Sequence, residues 1–445
     1  MQLSDLAGKR VAVWGTGREG LAAIAAIAPV GPASLIAVQD KPTFLAATAW
    51  TGAVPLYEGE AFGPALDGVE VLVRSPGVGE SNPWIQRLRE RGVAITGGTA
   101  LWMADHARQT IGVTGSKGKS TTTTLIAHLL TAVGRPNELG GNIGIAVLSL
   151  PGAARYVLEL SMYQCADLDV SPRISVITSL FEEHLDWTRD GKPSQYYAHK
   201  LNIAMHGPEA VVYNATDPTL SAELAARPGL PLVPVEPWES GGWIVRHGER
   251  LFPRDAFALR GTHNTGNLSV ALATLEADGV DVVANAAVLE AALRSYTPLP
   301  HRLTPIADPS GVEFVNDSLS TAPQTTIHAI EAYAGRELAV LVGGQDRGID
   351  YTPLRDYLRD KAVPVTLIAI PDSGEHILDV VGDLPNVRRE TAEDLFAGVL
   401  RARTLIPPGG VVLLSPAAPS YGRYDNYEAR AKAFIAAIEA TSPLP

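Results

Sequence analysis

The chain has 445 residues, of which 46% are hydrophobic and 19% are charged, and its formal net charge at pH 7 is −12. This length predicts about three domains, and the acidic balance argues against a nucleic-acid partner, which would normally require a basic face. The single cysteine, Cys165, excludes a disulfide framework within the chain and favours a reducing cytoplasm. The first residues, MQLSDLAGKR, lack the apolar core of a signal peptide, and no apolar run has the roughly 20 residues of a membrane-spanning helix. We therefore expect a multidomain cytoplasmic enzyme without a membrane partner.

The first block of the chain opens with a strand-like run, RVAVWGTGREG, whose three glycines have the G-x-G-x-x-G spacing of a dinucleotide-type loop. Asp40 ends the next strand-like run, and a second glycine loop, RSPGVG, follows the run EVLV. The first loop alone leaves open a bound nucleotide or a ligand-free turn, because Glu19 would repel a diphosphate and Arg18 would offset it only partly. Two glycine loops at one sheet edge favour a ligand. The candidate residues are Gly15, Gly17, Arg18, Glu19, Asp40, Ser75, Pro76 and Gly77.

Residues 113–124, VTGSKGKSTTTT, read as a glycine-rich phosphate loop between an apolar strand-like run and an apolar helix-like run. Glycines hold such a loop open, so that backbone N–H groups and the positive end of the helix face phosphate oxygens. The lysine adds a point charge, and the serine that follows it adds a hydroxyl that can face magnesium. The alternative, a glycine-rich turn with an incidental lysine, is disfavoured because strand, glycines, Lys-Ser and helix occur together. The pattern predicts ATP binding by Thr114, Gly115, Ser116, Lys117, Gly118, Lys119, Ser120 and Thr121.

Four further polar clusters each follow an apolar strand-like run and should gather at one edge of a parallel sheet: Gly140-Gly141-Asn142, Glu159, the EEHLDW stretch and Lys200. A carboxylate at the end of a buried strand is costly unless it is paired or metal-bound, so Glu159 is a candidate magnesium ligand ahead of a purely structural role. Magnesium prefers oxygen ligands, so the residues alone leave the role of His184 open. The residues alone indicate that Lys200 is a solvated surface lysine.

Together these motifs resemble the Mur ligase family over essentially the whole chain. TGSKGKST resembles its ATP loop, and GGNIG, LELSMYQ, EHLDW and YYAHK resemble its central-domain motifs. HNTGN, PHRL, NDS and LSPAAPS extend the resemblance towards the C-terminus. The resemblance implies an α/β fold with three domains. These are a Rossmann-like UDP-sugar-binding domain over residues 1–105, a central P-loop ATPase-like parallel sheet over 106–302, and a C-terminal Rossmann-like domain over 303–445.

The activity that the resemblance implies is amide-bond formation between glutamate and UDP-N-acetylmuramoyl-L-alanine in peptidoglycan precursor synthesis. The alanyl carboxylate would take the γ-phosphoryl group of ATP, and the glutamate amine would displace phosphate from the acyl phosphate. Ser120 and Glu159 would hold one Mg²⁺ and His184 a second. Family members carbamylate the lysine that matches Lys200, which turns a cation into an oxygen donor for the metal site. The implied catalytic residues are Lys119, Lys200, His184 and Asn142.

Further ligand contacts also follow from the resemblance. Asn264 and Asn267 would contact the adenine side of ATP, while Arg302 and Asp317 would reach phosphate and ribose, Arg302 by domain closure. The first-block candidates would hold the UDP-sugar, and the protein would be a monomer. The expected glutamate-binding residues are Thr321, Arg347, Ser420 and Tyr427.

Several residues depart from the pattern of the D-glutamate-adding members. Arg347 replaces a usual lysine, Leu319 replaces another lysine, and Tyr427 stands for phenylalanine. Arginine is a rigid fork, so it changes the geometry of a carboxylate site. The departures favour a variant that adds L-glutamate and needs a separate epimerase, with the D-glutamate ligase as the alternative. A folylpolyglutamate synthase-like ligase and a non-catalytic nucleotide-binding relative are weaker alternatives.

Overall fold

In the computed structural model, alternating strands and helices form three large, mainly parallel β-sheets among the described residues, beside one small antiparallel sheet, which confirms the predicted α/β class. The structure describes residues 1–40, 54–143, 145–182, 187–259, 261–297, 301–346 and 349–442. The chain divides into two compact units, one comprising Met1–Ala258 and Asn264–Tyr296 and the other Leu259–His263 and Thr297–Pro445. The three-domain division with joints near residues 105 and 302 stays a prediction.

The first sheet, in the first unit, has five parallel strands in the order β3-β2-β1-β4-β5. Its central strands are apolar and buried on both faces, as expected where helices cover a parallel sheet. The strands are β1 Arg10–Trp14, β2 Ser34–Gln39, β3 Leu56–Glu58, β4 Val71–Arg74 and β5 Ala94–Gly97. The described helices of this part are α1 Arg18–Ile27, α2 Phe62–Ala65, α3 Pro83–Glu90 and α4 Gly98–His106.

The second sheet, also in the first unit, has six parallel strands in the order β11-β10-β9-β6-β8-β7. The strands are β6 Thr110–Thr114, β7 Glu138–Gly141, β8 Tyr156–Glu159, β9 Ile174–Ile177, β10 Ala210–Asn214 and β11 Leu232–Val235. The helices are α5 Lys119–Ala132, α6 Met162–Ala166, α7 Pro193–Leu201, α8 Pro218–Ala225, α9 Thr262–Ala277 and α10 Ala286–Ser295. A small antiparallel sheet follows β11, with strands β12 Glu239–Ser240, β13 Trp243–Arg246 and β14 Glu249–Pro253.

The third sheet lies in the second unit and has the order β15-β16-β20-β17-β18-β19. Only its edge strand β15 is antiparallel to its neighbour, and the other pairs are parallel. The strands are β15 Thr304–Ile306, β16 Glu313–Asn316, β17 Leu338–Val342, β18 Val365–Ala369, β19 Val387–Thr391 and β20 Val411–Leu414. The helices are α11 Pro323–Ala332, α12 Thr352–Lys361, α13 Gly374–Val381, α14 Leu395–Leu405 and α15 Tyr427–Thr441.

Local sequence signals explain several helix starts. Proline begins α3, α7, α8 and α11, where its missing N–H is not needed by the helix. Asn82 and Asp217 cap α3 and α8, since their side chains accept from the backbone N–H groups of Trp84 and Leu220. Within the described residues, no helix is long and apolar enough to cross a membrane.

Candidate functional site

The phosphate loop connects β6 to α5 and is fixed on one side by the end of β9. Gly115 has φ +148°, and a Cβ there would lie 2.0 Å from the Thr178 hydroxyl oxygen. Gly118 has φ +87°, and a Cβ there would lie 2.6 Å from Oδ1 of Asn267. Both positions therefore require glycine, because the backbone conformation and the close neighbours exclude a side chain. The tight loop that the sequence predicts is present, and Asn267 of α9 lies directly against it.

Polar side chains outside the loop hold its backbone in place. The Ser116 N–H donates to the Ser179 carbonyl at 2.9 Å, and the Lys117 N–H donates to the Ser179 hydroxyl at 2.8 Å. The Ser116 hydroxyl donates to the Phe181 carbonyl at 2.7 Å and lies 3.1 Å from the Tyr196 hydroxyl. Tyr196 is fully buried. These bonds preorganise the loop, so little rearrangement is needed when it meets phosphate.

Two lysine ammonium groups meet at one loop carbonyl. Lys119 donates to the carbonyls of Gly115 at 2.8 Å and Ser116 at 3.0 Å. Lys200 also donates to the Gly115 carbonyl at 2.8 Å, and its side chain comes from α7, which lies far away in sequence. Lys200 is only 2% exposed, so its interpretation as a solvated surface lysine is wrong. The site thus concentrates positive charge where the polyphosphate of a nucleotide would lie.

Lys200 shares its helix face with Tyr196, because residues four apart in a helix lie one above the other. The Lys200 ammonium lies 5.0 Å from the centre of the Tyr196 ring. Sequence reasoning missed Tyr196 as a residue that supports the loop. The i, i+4 spacing of tyrosine and lysine in YYAHK was the available signal, since both side chains had to face the same neighbour.

Glu159 ends β8, as predicted, and is 2% exposed. Its Oε1 accepts from the Asn142 side-chain amide at 2.6 Å, whereas its buried Oε2 has no hydrogen-bond partner among the described residues. The Asn142 N–H donates to the Glu159 carbonyl at 2.8 Å, so β7 and β8 end together. A Cβ on Gly141 would lie 2.2 Å from that carbonyl, which explains the glycine.

A buried carboxylate oxygen without a hydrogen bond is unfavourable unless a cation compensates it. Oxygen is also the ligand that Mg²⁺ prefers, so Glu159 fits a magnesium ligand. Within the described residues, no group of three or more His, Cys, Asp and Glu side chains could hold a metal by itself. Among the described residues, a magnesium ion held by Glu159 would therefore take its other ligands from hydroxyl, water or phosphate oxygens. Of the other predicted ligands, Ser120 and Lys200 are described, whereas His184 lies outside the described residues.

Other predicted ATP residues also have clear positions. Asn264 and Asn267 lie on one face of α9, and the Asn267 amide donates to Oδ1 of Asn264 at 3.2 Å. Thr114 is buried, and its hydroxyl donates to the Leu160 carbonyl at 2.8 Å. Ser120 and Thr121 occupy the first turn of α5. The first unit therefore brings the loop, both lysines, Glu159 and the two asparagines of α9 to the carboxyl edge of its second sheet.

The two glycine loops of the first sheet also lie side by side. Gly15 has φ +111°, and a Cβ there would lie 2.4 Å from the Ser75 hydroxyl oxygen. The Ser75 N–H donates to the Trp14 carbonyl at 2.8 Å. Asp40 accepts from the Trp14 indole and from Asn82, each at 3.4 Å. The predicted edge is therefore assembled.

Glu19 is the residue that complicates this candidate site. Burial raises the pKa of Glu19, and the neighbouring Arg18 guanidinium, 3.9 Å away, acts in the opposite direction. Gly17 and Gly77 have open space around them, so the backbone can approach a ligand closely at both positions.

In the second unit, Asp317 follows β16 and is 6% exposed. Its carboxylate accepts from the Ser415 hydroxyl at 2.8 Å and from the Leu303 N–H at 3.3 Å. Arg302, next to Leu303, has a buried Nε with no hydrogen-bond partner among the described residues. Asp317 therefore fixes the segment that carries Arg302.

Two of the predicted glutamate residues, Thr321 and Ser420, lie on segments that a buried arginine joins. Arg430 of α15 is 1% exposed and donates to the Ser318 hydroxyl and carbonyl and to the Ala418 carbonyl, at 3.1, 2.8 and 3.0 Å. Burial lowers the pKa of Arg430 to about 10. Sequence reasoning missed this residue, although it lies one helical turn after Tyr427. Among the predicted residues, Thr321 and Ser420 are at least partly buried, Tyr427 is exposed, and Arg347 lies outside the described residues.

Known proteins resemble this chain at both the sequence and the fold level. A profile of the Mur ligase middle domain matches residues 113–233. Among solved structures, UDP-N-acetylmuramate-alanine ligase MurC from Thermotoga maritima has a TM-score of 0.59 at 18% identity and covers 98% of this chain and 100% of its own. MurF ligase from Thermotoga maritima, solved in complex with ADP, has a TM-score of 0.57 at 16% identity over 99% and 96%. At these identities the likeness shows the shared fold.

Sequence relatives are much more similar. The UDP-N-acetylmuramoyl-L-alanine–L-glutamate ligase of Micromonospora sp. is 55% identical over 100% of this chain and 100% of its own length. The ligase of the same name from Salinispora tropica is 52% identical over 99% and 100%. That of Xanthomonas oryzae pv. oryzae is 37% identical over 98% and 96%. Full-length similarity at this level, together with the assembled phosphate-loop site, shows that the chain belongs to the Mur ligase family.

Proposed function

We propose that this protein is an ATP-dependent ligase that joins glutamate to UDP-N-acetylmuramoyl-L-alanine in peptidoglycan precursor synthesis in the cytoplasm. The observation that carries the proposal is the arrangement at the carboxyl edge of the second sheet. This edge carries the preorganised phosphate loop and the ammonium groups of Lys119 and Lys200. It also carries the carboxylate of Glu159, of which one oxygen has a hydrogen-bond partner and the other has none among the described residues. The names of relatives that are 55% and 52% identical over the whole chain support the substrate assignment.

The proposed chemistry has two steps whose atoms balance. A carboxylate oxygen of the substrate attacks the γ-phosphorus of ATP, and the bond to the β-γ bridging oxygen breaks to release ADP. The glutamate nitrogen then attacks the acyl carbon, the C–O bond to phosphate breaks, and the nitrogen loses a proton. Phosphate leaves, and an amide remains.

Each residue near the loop has a distinct task in this proposal. The loop N–H groups and Lys119 hold the phosphates and offset the charge that shifts towards ADP. Glu159 and Ser120 would hold Mg²⁺, which neutralises phosphate oxygens when bound. Asn142 fixes the orientation of Glu159 and, as the resemblance implies, would contact the acyl group. Lys200, carbamylated as in family members, would contribute oxygen in place of positive charge.

For the amino acid, we propose L-glutamate. Three substitutions support an altered carboxylate site: Arg347 and Leu319 each replace a usual lysine, and Tyr427 replaces phenylalanine. The related enzymes of Micromonospora sp. and Salinispora tropica carry L-glutamate in their names. An L-glutamate product implies a separate epimerase wherever the pathway needs the D-centre.

Turnover of purified protein tests this proposal. ATP, Mg²⁺ and UDP-N-acetylmuramoyl-L-alanine are combined with L- or D-glutamate, and phosphate release is followed together with the mass of the product. We expect release and a ligated product with L-glutamate alone. Product with D-glutamate alone would contradict the stereochemical part. Phosphate release without the other substrates, or none under any condition, would contradict the ligase assignment.

A further inference from the structure

The loop that follows β4, residues 74–82, is bound to the part of the first unit that carries the phosphate loop. This 74–82 loop contains Ser75, Pro76 and Gly77, which are candidates for holding the sugar nucleotide. Arg74, at its start, is 2% exposed and makes a two-pronged ion pair with Asp167, with distances of 2.9 and 2.5 Å. Asp167 directly follows α6 of the second sheet. The pair therefore ties one end of the loop to the neighbouring sheet.

Trp187 forms hydrogen bonds with the middle of the same loop. Its indole Nε1 donates to the Pro76 carbonyl at 2.9 Å, and its own carbonyl accepts from the Ser81 N–H at 3.3 Å. The Arg74 guanidinium lies 4.7 Å from the centre of the indole ring. A Cβ on Gly79 would lie 3.2 Å from the Trp187 carbonyl oxygen, so the two backbones are in close contact. The tryptophan is 6% exposed.

Glu80 connects the far end of the loop to the helix that carries Lys200. Its carboxylate lies 3.1 Å from Nε2 of His199 and accepts from Arg89 at 2.6 Å. His199 precedes Lys200 on α7, and its ring packs edge-on against the Trp187 indole at 5.7 Å. The loop is therefore bonded at its start to Asp167 and at its middle to Trp187, and at its end Glu80 lies close to His199, the residue before Lys200.

From these contacts we infer that Trp187 and Arg74 are positioning residues for the sugar-nucleotide substrate. They fix the backbone of residues 75–77 relative to the phosphate loop, so that the reacting carboxylate is presented at a defined place. This inference rests on the proposed function for the identity of the substrate. The physical reason is preorganisation, because a loop already held in its bound conformation loses less entropy when the ligand binds.

Trp187→Phe is the sharpest test, since it removes the indole N–H and keeps an aromatic ring over Arg74. We expect the Kd and KM for UDP-N-acetylmuramoyl-L-alanine to rise about fivefold to tenfold, as for one lost hydrogen bond. The KM for ATP should stay at the wild-type value, whereas the melting temperature should fall slightly because the Pro76 carbonyl loses its donor. Trp243→Phe is the matched control, because this tryptophan lies in the small antiparallel sheet and should change neither constant.

Calorimetric titration of the sugar nucleotide onto each variant separates this inference from the proposed function. If the wild-type enzyme turns over and Trp187→Phe binds the sugar nucleotide with an unchanged Kd, the positioning role is wrong and the ligase proposal stands. A wild-type enzyme without turnover would instead contradict the ligase proposal. Arg74→Lys is a second variant, which keeps the positive charge but cannot form two parallel hydrogen bonds with Asp167. We therefore expect its Kd for the sugar nucleotide to rise as well. Equal losses for ATP and sugar nucleotide in both variants would also overturn the inference.

Discussion

Replacing Glu159 with glutamine should separate catalysis from folding at the phosphate-loop site. Glutamine has nearly the same shape, and its carbonyl can still accept from Asn142, as Oε1 does now at 2.6 Å. The amide group would take the place of Oε2, which is buried without a hydrogen-bond partner among the described residues. The substitution thus removes a negative charge and leaves the packing intact.

The two expected magnitudes differ because they depend on different states. In metal-free buffer, a neutral amide replaces a buried carboxylate that has no compensating cation, so the free energy of unfolding should stay the same or rise by about 1 kcal/mol. Removal of one preorganised group that stabilises transition-state charge typically costs about 3 to 4 kcal/mol, so kcat should fall about 10²- to 10³-fold. At a MgADP concentration of about 100 times the wild-type Kd, binding stabilises the wild type by about 2.7 kcal/mol. A variant that binds MgADP tenfold more weakly would be stabilised by only about 1.4 kcal/mol at the same MgADP concentration.

Two measurements check these values: phosphate release with all substrates, and thermal unfolding with and without MgADP. Glu249→Gln is the matched control, since Glu249 is an exposed residue at the start of β14. Wild-type kcat with unchanged dependence on magnesium in Glu159→Gln would refute the assignment of Glu159 as a metal ligand. An equal loss of MgADP stabilisation in the control variant would refute it as well.

Three further substitutions test other parts of the molecule. Lys200→Ala should lose most turnover and regain part of it when short carboxylic acids are added, because they can replace carbamate oxygens; assays with and without acetate measure the rescue. Arg430→Lys should raise the KM for glutamate more than the KM for ATP, because it loses bonds to both loops near the candidate glutamate residues. Asp308→Asn breaks a buried pair with Arg403 and should lower the free energy of unfolding by about 3 kcal/mol at pH 7. The Arg403 guanidinium holds the pKa of Asp308 well below its usual 3.8. The stabilisation by this pair is therefore present above about pH 4 and is lost as the pH falls further. Urea unfolding at pH 7 and at pH 3 should show that the stability difference between wild type and Asp308→Asn is smaller at pH 3.

Sequence reasoning succeeded where a local pattern carries a local conformation. The phosphate loop was predictable because its glycines, lysine and flanking apolar runs are contiguous, and the structure shows why Gly115 and Gly118 admit no side chain. The α/β class was predictable from alternating apolar runs. Glu159 was predictable as a costly carboxylate at the end of a strand, and its buried, half-partnered state agrees with that argument.

The remainder depended on contacts between distant parts of the chain, which no spacing reveals. Lys200 was interpreted from the residues alone as a surface lysine, but α7 packs it against a loop that is far away in sequence. Arg74 begins a glycine loop and gives no local sign that its partner is Asp167. Arg430 lies in an alanine-rich helix, where an arginine normally faces water. Long-range pairing of this kind is fixed by tertiary packing, so it becomes visible only in the structure.

Charge at the Gly115 carbonyl links these observations to the proposed chemistry. Lys119 and Lys200 both donate to that single oxygen at 2.8 Å, so their ammonium nitrogens cannot be farther apart than two hydrogen bonds. Two like charges this close raise the free energy of the site, and burial of Lys200 increases the effect. A polyphosphate lowers it by adding negative charge, and carbamylation lowers it by removing one of the cations. The same electrostatic repulsion thus favours both nucleotide binding and carbamylation of Lys200. For this reason, a short carboxylate should rescue the activity of Lys200→Ala, whereas a neutral amide of the same size should not.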